Sequence, residues 1–303
     1  MCIRDSNVSA NQVNAVVKNL RQNLSTPLRE LEVKKDSQKL YEWMLKPLKS
    51  DLEKNSLETL VFILDSSLQN LPMAVLYDGK NYLIENYAIA VVPSLQLLNP
   101  HPAPRERITA LLAGASNAPS FRRENLNPLP NVQEEIAGIG QQVKQENTLL
   151  EENFSQINLQ QQINDNPFSI VHIASHGKFS SNPEQTYILD WNKRIGIEDL
   201  ENLLQVHQAQ NLQPIELLIL SACETASGDR RAALGLAGIS IRSGAESTLA
   251  TLWQVNDKST AQLMIEFYRN LQNPKYSKAE ALRQAQLKFL REGGTETDFN
   301  RAY

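Results

Sequence analysis

From Ile108 onward, short apolar runs alternate with helical stretches, and this alternation limits the fold more than any other feature of the chain. The runs are Ile108–Ala113, Thr148–Leu150, Ser169–Ala174, Ile215–Leu220 and Ser247–Leu252. Strands joined through helices predict an α/β fold, a mostly parallel sheet with helices on both faces. In such open sheets the ligand site lies outside the carboxyl ends of the strands. Those ends are therefore where chemistry is sought.

Two of the runs end on reactive residues. Phe168–Gly177 reads FSIVHIASHG, and Ile215–Thr225 reads IELLILSACET. His176-Gly177 thus follows one strand and Cys223 follows another. If the two strands are parallel neighbours, their ends lie about 5 Å apart. The chain between them is long enough for a right-handed crossover. A thiolate is a strong nucleophile, and a free thiol titrates near pH 8.5. An imidazole beside it can take the proton and return it to a leaving amine. The backbone N–H groups of Gly177 and Cys223 can face a developing oxyanion. Ser175, Ser221 and Ala222 are small enough to leave room for a substrate backbone. The same residues also read as plain structure, with Cys223 a small buried hydrophobe and His176 the end of a strand. The pattern alone does not choose.

The two segments resemble the CHAT family, caspase-like domains found with TPR repeats. Further stretches carry the resemblance: Leu71–Leu76 with Asp78-Gly79, Tyr82–Ile84 with Val92–Ser94, Gly244–Ser247, Leu252–Asp257, Phe267-Tyr268 and Ala281–Gln286. It runs from about Asp36 to the C-terminus. It implies a caspase-like fold of the separase, gingipain and caspase clan, with His176 as base and Cys223 as nucleophile, and with no cofactor. It also implies protein substrates, a bacterial cytoplasmic setting, and control by an N-terminal TPR array or a regulatory protein.

On this resemblance the chain divides into a helical linker or repeat remnant (1–35), an N-terminal, pseudo-protease-like half (36–104) and a caspase-like catalytic half (105–303). Pro100, Pro102 and Pro104 form a stiff link near the second boundary. Both ends read as cut. Met1–Ser6 does not resemble the family, and Phe299–Tyr303 falls where CHAT domains continue into an aromatic-rich strand.

Composition removes several alternatives. The 303 residues are 41% hydrophobic with a net charge of −4, and the pI is near 5.7. That balance carries no nucleic-acid footprint. Two cysteines, Cys2 and Cys223, make no disulfide framework, and a lone internal thiol suits a reducing compartment. No apolar stretch reaches the length of a membrane span, and no signal peptide follows the N-terminus. Gly138-Ile139-Gly140 lies in a helical pattern with Val143 where a third glycine belongs, so it is no dinucleotide loop. No P-loop and no GxSxG elbow occur. His101, His172, His176 and His207 lack metal-ligand spacing, so no metal site is expected. His172 shares a strand face with His176 and reads as a core residue with a satisfied ring.

The N-terminal part is read more coarsely. Val8–Leu24 shows a stripe of Val13, Val16, Val17 and Leu20, either a repeat or linker helix or one packed on the sheet. Gln38–Leu52 continues as helix, interrupted or begun at Pro47. Leu60–Leu64 reads as a strand. Asp78-Gly79 reads as a hairpin turn between the strands Leu71–Leu76 and Tyr82–Val92. Asn131 with Glu134 predicts a capping box before a helix over Glu134–Val143. Two helices close the chain, Ser259–Leu271 and Lys278–Leu290, the second capped by Ser277 and Glu280.

Two acids are candidates for substrate binding. Asp257 follows the Ser247–Leu252 strand, and its segment is similar to one in separases where an acid shapes a pocket for a basic side chain. Asp257 also reads as the cap of the helix beginning near Ser259. Asp190 ends a strand and can orient the dyad or a loop. The function these readings favour is a cysteine endopeptidase. The alternatives are a non-catalytic interaction module with a vestigial site and an acyltransferase using the same dyad.

Overall fold

The computed structural model describes residues 8–26, 29–94, 96, 108–180, 182–209, 215–221, 224–225, 244–251 and 256–292. The chain forms two compact units, one from Met1–Leu98 with Lys275–Tyr303 and one from Asn99–Pro274. Cys2, Cys223, the Pro100–Pro104 link, Leu252–Val255 and Phe299–Tyr303 lie outside the described residues.

The first unit opens with helices α1 (Ala10–Leu24) and α2 (Glu30–Met44). Ser9 and Gln12 form a reciprocal capping box that starts α1. The apolar stripe then buries Val16, Val17, Leu20 and Leu24, in contact with α2. Pro47 sits in a short 3₁₀ turn, Lys46–Leu48, that separates α2 from α3 (Lys49–Lys54). Strand β1 (Thr59–Phe62), helix α4 (Leu83–Asn86) and strand β2 (Ala88–Val91) follow, and β1 pairs with β2 in parallel. A closing helix, Lys278–Glu292, packs on β2 and α4. Ser277 Oγ accepts the Glu280 N–H at 3.0 Å, as the capping pattern predicts.

One expectation here is corrected. Asp78-Gly79 does form a turn, with Gly79 at φ 99° and Asp78 Oδ1 accepting from Lys80 N and Asn81 N at 2.7 Å. Its first arm is not a strand, and the strand in its second arm, Ala88–Val91, pairs with β1 and not with the first arm. The antiparallel contact is a lone Tyr77–Tyr82 bridge. The 3₁₀ turn Met73–Val75 precedes it and α4 follows. Glu85 Oε2 accepts the Tyr82 N–H at 2.6 Å and turns the second arm into helix at once.

The second unit is built on β3 (Thr109–Gly114), β4 (Gln145–Leu150), β5 (Ile170–Ala174), β6 (Gly177–Phe179), β7 (Tyr187–Leu189), β8 (Arg194–Gly196), β9 (Leu217–Ser221), β10 (Glu224–Thr225) and β11 (Thr248–Ala250). Its helices are α5 (Pro119–Arg123), α6 (Val132–Gly140), α7 (Gln156–Asp165), α8 (Ile197–Ala209) and α9 (Asp257–Leu271). The main sheet has the order β11-β9-β5-β3-β4, and every pairing in it is parallel. Strands β5 and β9 are buried at every residue, as strands covered on both faces must be. Helix α6 packs with α9, and α7 with α8. The chain moves one way from β3 to β4 and the other way from β4 to β5, so right-handed crossovers carry α6 and α7 to opposite faces. A second, mixed sheet runs β10-β6-β7-β8. Among the described residues no helix is long and apolar enough to cross a membrane.

Candidate active site

The order of the main sheet fixes where a site belongs. The connections leaving β3 and β5 diverge in opposite directions, which makes the gap outside their carboxyl ends the switch point of the sheet. Gly114 closes the tips together. A Cβ there would stand 2.7 Å from the Ala174 carbonyl and 2.8 Å from Val132 Cγ1, so only glycine allows the approach. The segment Ala115–Asn131 leaves β3 on one side of the gap, and Ser175–His176 leaves β5 on the other.

His176 is half-buried in this gap. Its ring meets Phe121 of α5 edge to face, with centroids 4.7 Å apart. Its Nε2 lies 2.7 Å from the Asn127 carbonyl oxygen. A carbonyl can only accept, so Nε2 carries the proton and, in the neutral ring, Nδ1 carries the lone pair. The ring is thus oriented from one side, with its basic nitrogen determined by a main-chain group.

Gly177 is buried at the start of β6. The His176 carbonyl accepts the Leu189 N–H of β7 at 2.8 Å. In a trans peptide the carbonyl and the following N–H point in opposite directions, and no described peptide is cis. The Gly177 N–H is therefore directed away from β7, toward the side of β6 on which β10 lies.

Ala222 and Cys223 lie outside the described residues, but Ser221 before them and Glu224 after them do not. Strands β5 and β9 are adjacent and parallel, with Ala174 aligned to Ser221. Strands β6 and β10 are likewise parallel, with Lys178 aligned to Glu224. The described residues on either side of Cys223 are thus in register with those two before and two after His176.

The segment that holds His176 is itself tied down. Glu151, at φ 52°, accepts from the Ser116 N–H, the Ser116 hydroxyl and Gln133 Nε2. Burial pushes its carboxyl up, but these hydrogen bonds outweigh burial and hold it below the usual range. Ser120 donates its hydroxyl to the Asp190 carbonyl at 2.6 Å, and Arg194 meets Glu124 in a two-point ion pair at 2.8 and 2.5 Å. Asn127 is bracketed by main-chain bonds from Leu126 N to Phe121 O and from Leu129 N to Ser116 O. None of Asn127, Phe121 or Glu151 is marked by sequence. Asn127 works through its main chain, which any residue supplies. Pro128, which holds the preceding residue extended, is the one local signal.

The two candidate acids have main-chain work. Asp190 is 1% exposed. Its Oδ1 accepts from Asn192 N and Lys193 N at 2.7 and 2.6 Å, and its Oδ2 from Gln156 N at 3.0 Å. It closes the β7–β8 turn and meets the first turn of α7. Asp257 Oδ2 accepts from both Asn131 N and Asn131 Nδ2 at 2.7 Å. Two capping expectations change as a result. Asn131 precedes α6 without a side-chain cap, because its amide is turned to Asp257. Helix α9 starts at Asp257 itself and is capped by Asn256, whose Oδ1 accepts the Ser259 N–H at 3.1 Å. His172 is satisfied as expected, between Glu135 and Tyr268. No cluster of metal-ligating side chains exists among the described residues.

Comparisons with known proteins agree with this architecture. The family model of the CHAT domain matches residues 34–303. Among solved structures, the Arg-specific cysteine proteinase gingipain R matches with a TM-score of 0.54 at 10% identity, over 98% of this chain. The chain spans 66% of the length of that proteinase. At such identity the likeness establishes the fold, a caspase-like α/β sheet flanked by helices. No curated protein sequence matches.

Proposed function

The chain belongs to the CHAT domain family, and we propose that it is a cysteine endopeptidase with Cys223 as nucleophile and His176 as base. One observation carries the reading. Ser221 is in register with Ala174 and Glu224 with Lys178, so a nucleophile between the first residues of each pair would face a base between the second. His176 Nδ1 takes the thiol proton, and the sulfur attacks the scissile carbonyl. The tetrahedral oxygen receives the Gly177 N–H, already directed to that side, and the N–H of Cys223. Protonated Nδ1 then gives its proton to the leaving amine, and water releases the acyl group by the same steps reversed. The Asn127 carbonyl keeps Nε2 protonated throughout, so one nitrogen does all the proton transfer. The substrates on this reading are proteins, with activity gated by an attached repeat array or a regulatory partner. Helix α1, which lies before the matched residues 34–303, is where such a partner would join.

The test is covalent labelling with a peptide bearing a thiol-directed electrophile. Wild type is expected to be labelled at Cys223 and to cleave a protein or peptide substrate. Cys223→Ala should lose both, and His176→Ala should lose cleavage by about 10³-fold or more. Labelling that survives Cys223→Ala, or cleavage that survives His176→Ala, would overturn the assignment.

A further inference from the structure

We propose that Asp257 is a positioning residue for His176, acting through Asn131 and the segment that ends on it. The inference rests on His176 being the base and assigns a group that controls it.

The geometry is a chain of short contacts within one unit. Asp257 opens α9, and Asn131 immediately precedes α6. The two helices pack together, so the Asp257 carboxylate stands near both N-termini, where backbone N–H groups and helix dipoles favour a negative charge. Its Oδ2 receives two hydrogen bonds from Asn131, one from main chain and one from side chain, both 2.7 Å. Hydrogen bonds to a charged acceptor are the stronger kind. Asn131 is thereby clamped at a point 126 residues away in sequence.

Four residues upstream is Asn127, whose carbonyl receives His176 Nε2 at 2.7 Å. The stretch between is Asn127-Pro128-Leu129-Pro130-Asn131. Two prolines fix two of its φ angles, and Pro128 also restricts Asn127. Leu129 is buried and bonds to Ser116, and Val132 N bonds back to Leu129 O at 3.2 Å. A stretch this stiff transmits a displacement from one end to the other. Its upstream end is held through Ser116 by Glu151 and through α5 by the β7–β8 turn. Its downstream end is held by Asp257. Loss of that clamp lets the Asn127 carbonyl move off Nε2, and the ring then has less reason to keep its proton there. The carboxylate orients the base without touching the reacting atoms.

The test uses the full chain with ¹⁵N-labelled histidine. His176 is assigned by its loss in His176→Gln. In wild type the nitrogen spectrum should show the Nε2–H tautomer. Asp257→Ala should show a mixture of tautomers at His176. On a peptide selected from a fluorogenic library, kcat should fall roughly tenfold with KM nearly unchanged. Asp257→Asn, which can still accept from Asn131 N, should restore much of both readouts. If Asp257→Ala does not fold, Asn131→Ala, which loses the side-chain bond to Asp257 and keeps the main-chain one, carries the same test with a smaller change. An unchanged His176 tautomer overturns the proposal. So does a KM increase confined to Lys- and Arg-containing peptides, which would make Asp257 a specificity acid. If wild type cleaves nothing, the peptidase reading fails by itself, and the nitrogen spectrum still decides the role of Asp257.

Discussion

Glu135, His172 and Tyr268 meet with essentially no exposed surface. His172 Nε2 lies 2.9 Å from Glu135 Oε1, and Nδ1 lies 3.3 Å from the Tyr268 hydroxyl. The arrangement is consistent as one proton pattern: the phenol donates to Nδ1, and Nε2–H donates to the carboxylate. It joins α6, β5 and α9. Deleting Glu135 or the Tyr268 hydroxyl leaves one buried ring nitrogen of His172 without its partner. Glu135→Ala should therefore cost about 3 kcal/mol in urea unfolding, and Tyr268→Phe about 1 kcal/mol. Burial, then the Glu135 charge, raises the Tyr268 phenol well above its ordinary value. A raised acid binds its proton more tightly in the folded state, so its stabilisation is full below the unfolded value near 10 and is lost as pH climbs above it. Wild type should lose stability above about pH 10, and Tyr268→Phe should flatten part of that loss. Equal alkaline slopes for the two proteins would contradict the assignment. Tyr82, also raised by burial, keeps its own share in the other unit.

At the scale of elements, the β7–β8 hairpin grips α5, the helix that carries Phe121. Asp190 is the centre of that grip, because three main-chain N–H groups depend on its buried carboxylate. Asp190→Ala should cost about 3 kcal/mol, through donors left without an acceptor. Arg194→Ala should cost less than about 1 kcal/mol, since the Arg194–Glu124 pair is largely solvated. Thermal unfolding of the two variants checks the order, and an Arg194 effect as large as the Asp190 effect would refute it. What sequence reveals follows the same division. The strands β3, β5 and β9 are legible because burial on both faces demands unbroken apolar runs. The grip is not. Strands β6, β7 and β8 are three residues each, too short to show a period. Asp190 is legible as a strand end but not as a turn acceptor. Asp257 is legible as a residue at the start of α9, but not as one whose cap is its neighbour Asn256 and whose carboxylate serves Asn131. A hydrogen bond across 126 residues has no local signature. The position of His176 past β5 is legible, whereas the carbonyl that sets its tautomer is main chain and is marked only by the proline that follows Asn127.

The whole molecule shows a further limit of linear reading, because its first unit is made from both ends of the chain. The closing helix Lys278–Glu292 supplies Arg283, which reaches α4 almost 200 residues earlier. Arg283 Nε donates to the Ile84 carbonyl at 2.7 Å and Nη2 to the Glu85 carbonyl at 2.6 Å. These carbonyls belong to the last turn of a four-residue helix, where no intrahelical donor remains to satisfy them. A cation is favoured at that end. Glu280, one turn before, meets Nη1 at 3.0 Å and keeps the guanidinium aligned. Ala281 and Ala285 are fully buried beside it, so the helix face seats against the unit and Arg283 closes the contact at its rim. Arg283→Ala should leave two carbonyls unpaired and cost about 2 kcal/mol. Arg283→Lys should recover only part of this, because one ammonium lacks the planar fork that serves both oxygens. The loss should be local. Hydrogen exchange should quicken in α4, in β2 and in the closing helix, and stay unchanged in β3, β5 and β9, whose packing lies within the other unit. Uniformly faster exchange through both units would mean that the two unfold as one, and the division of the chain would then be geometric without being energetic.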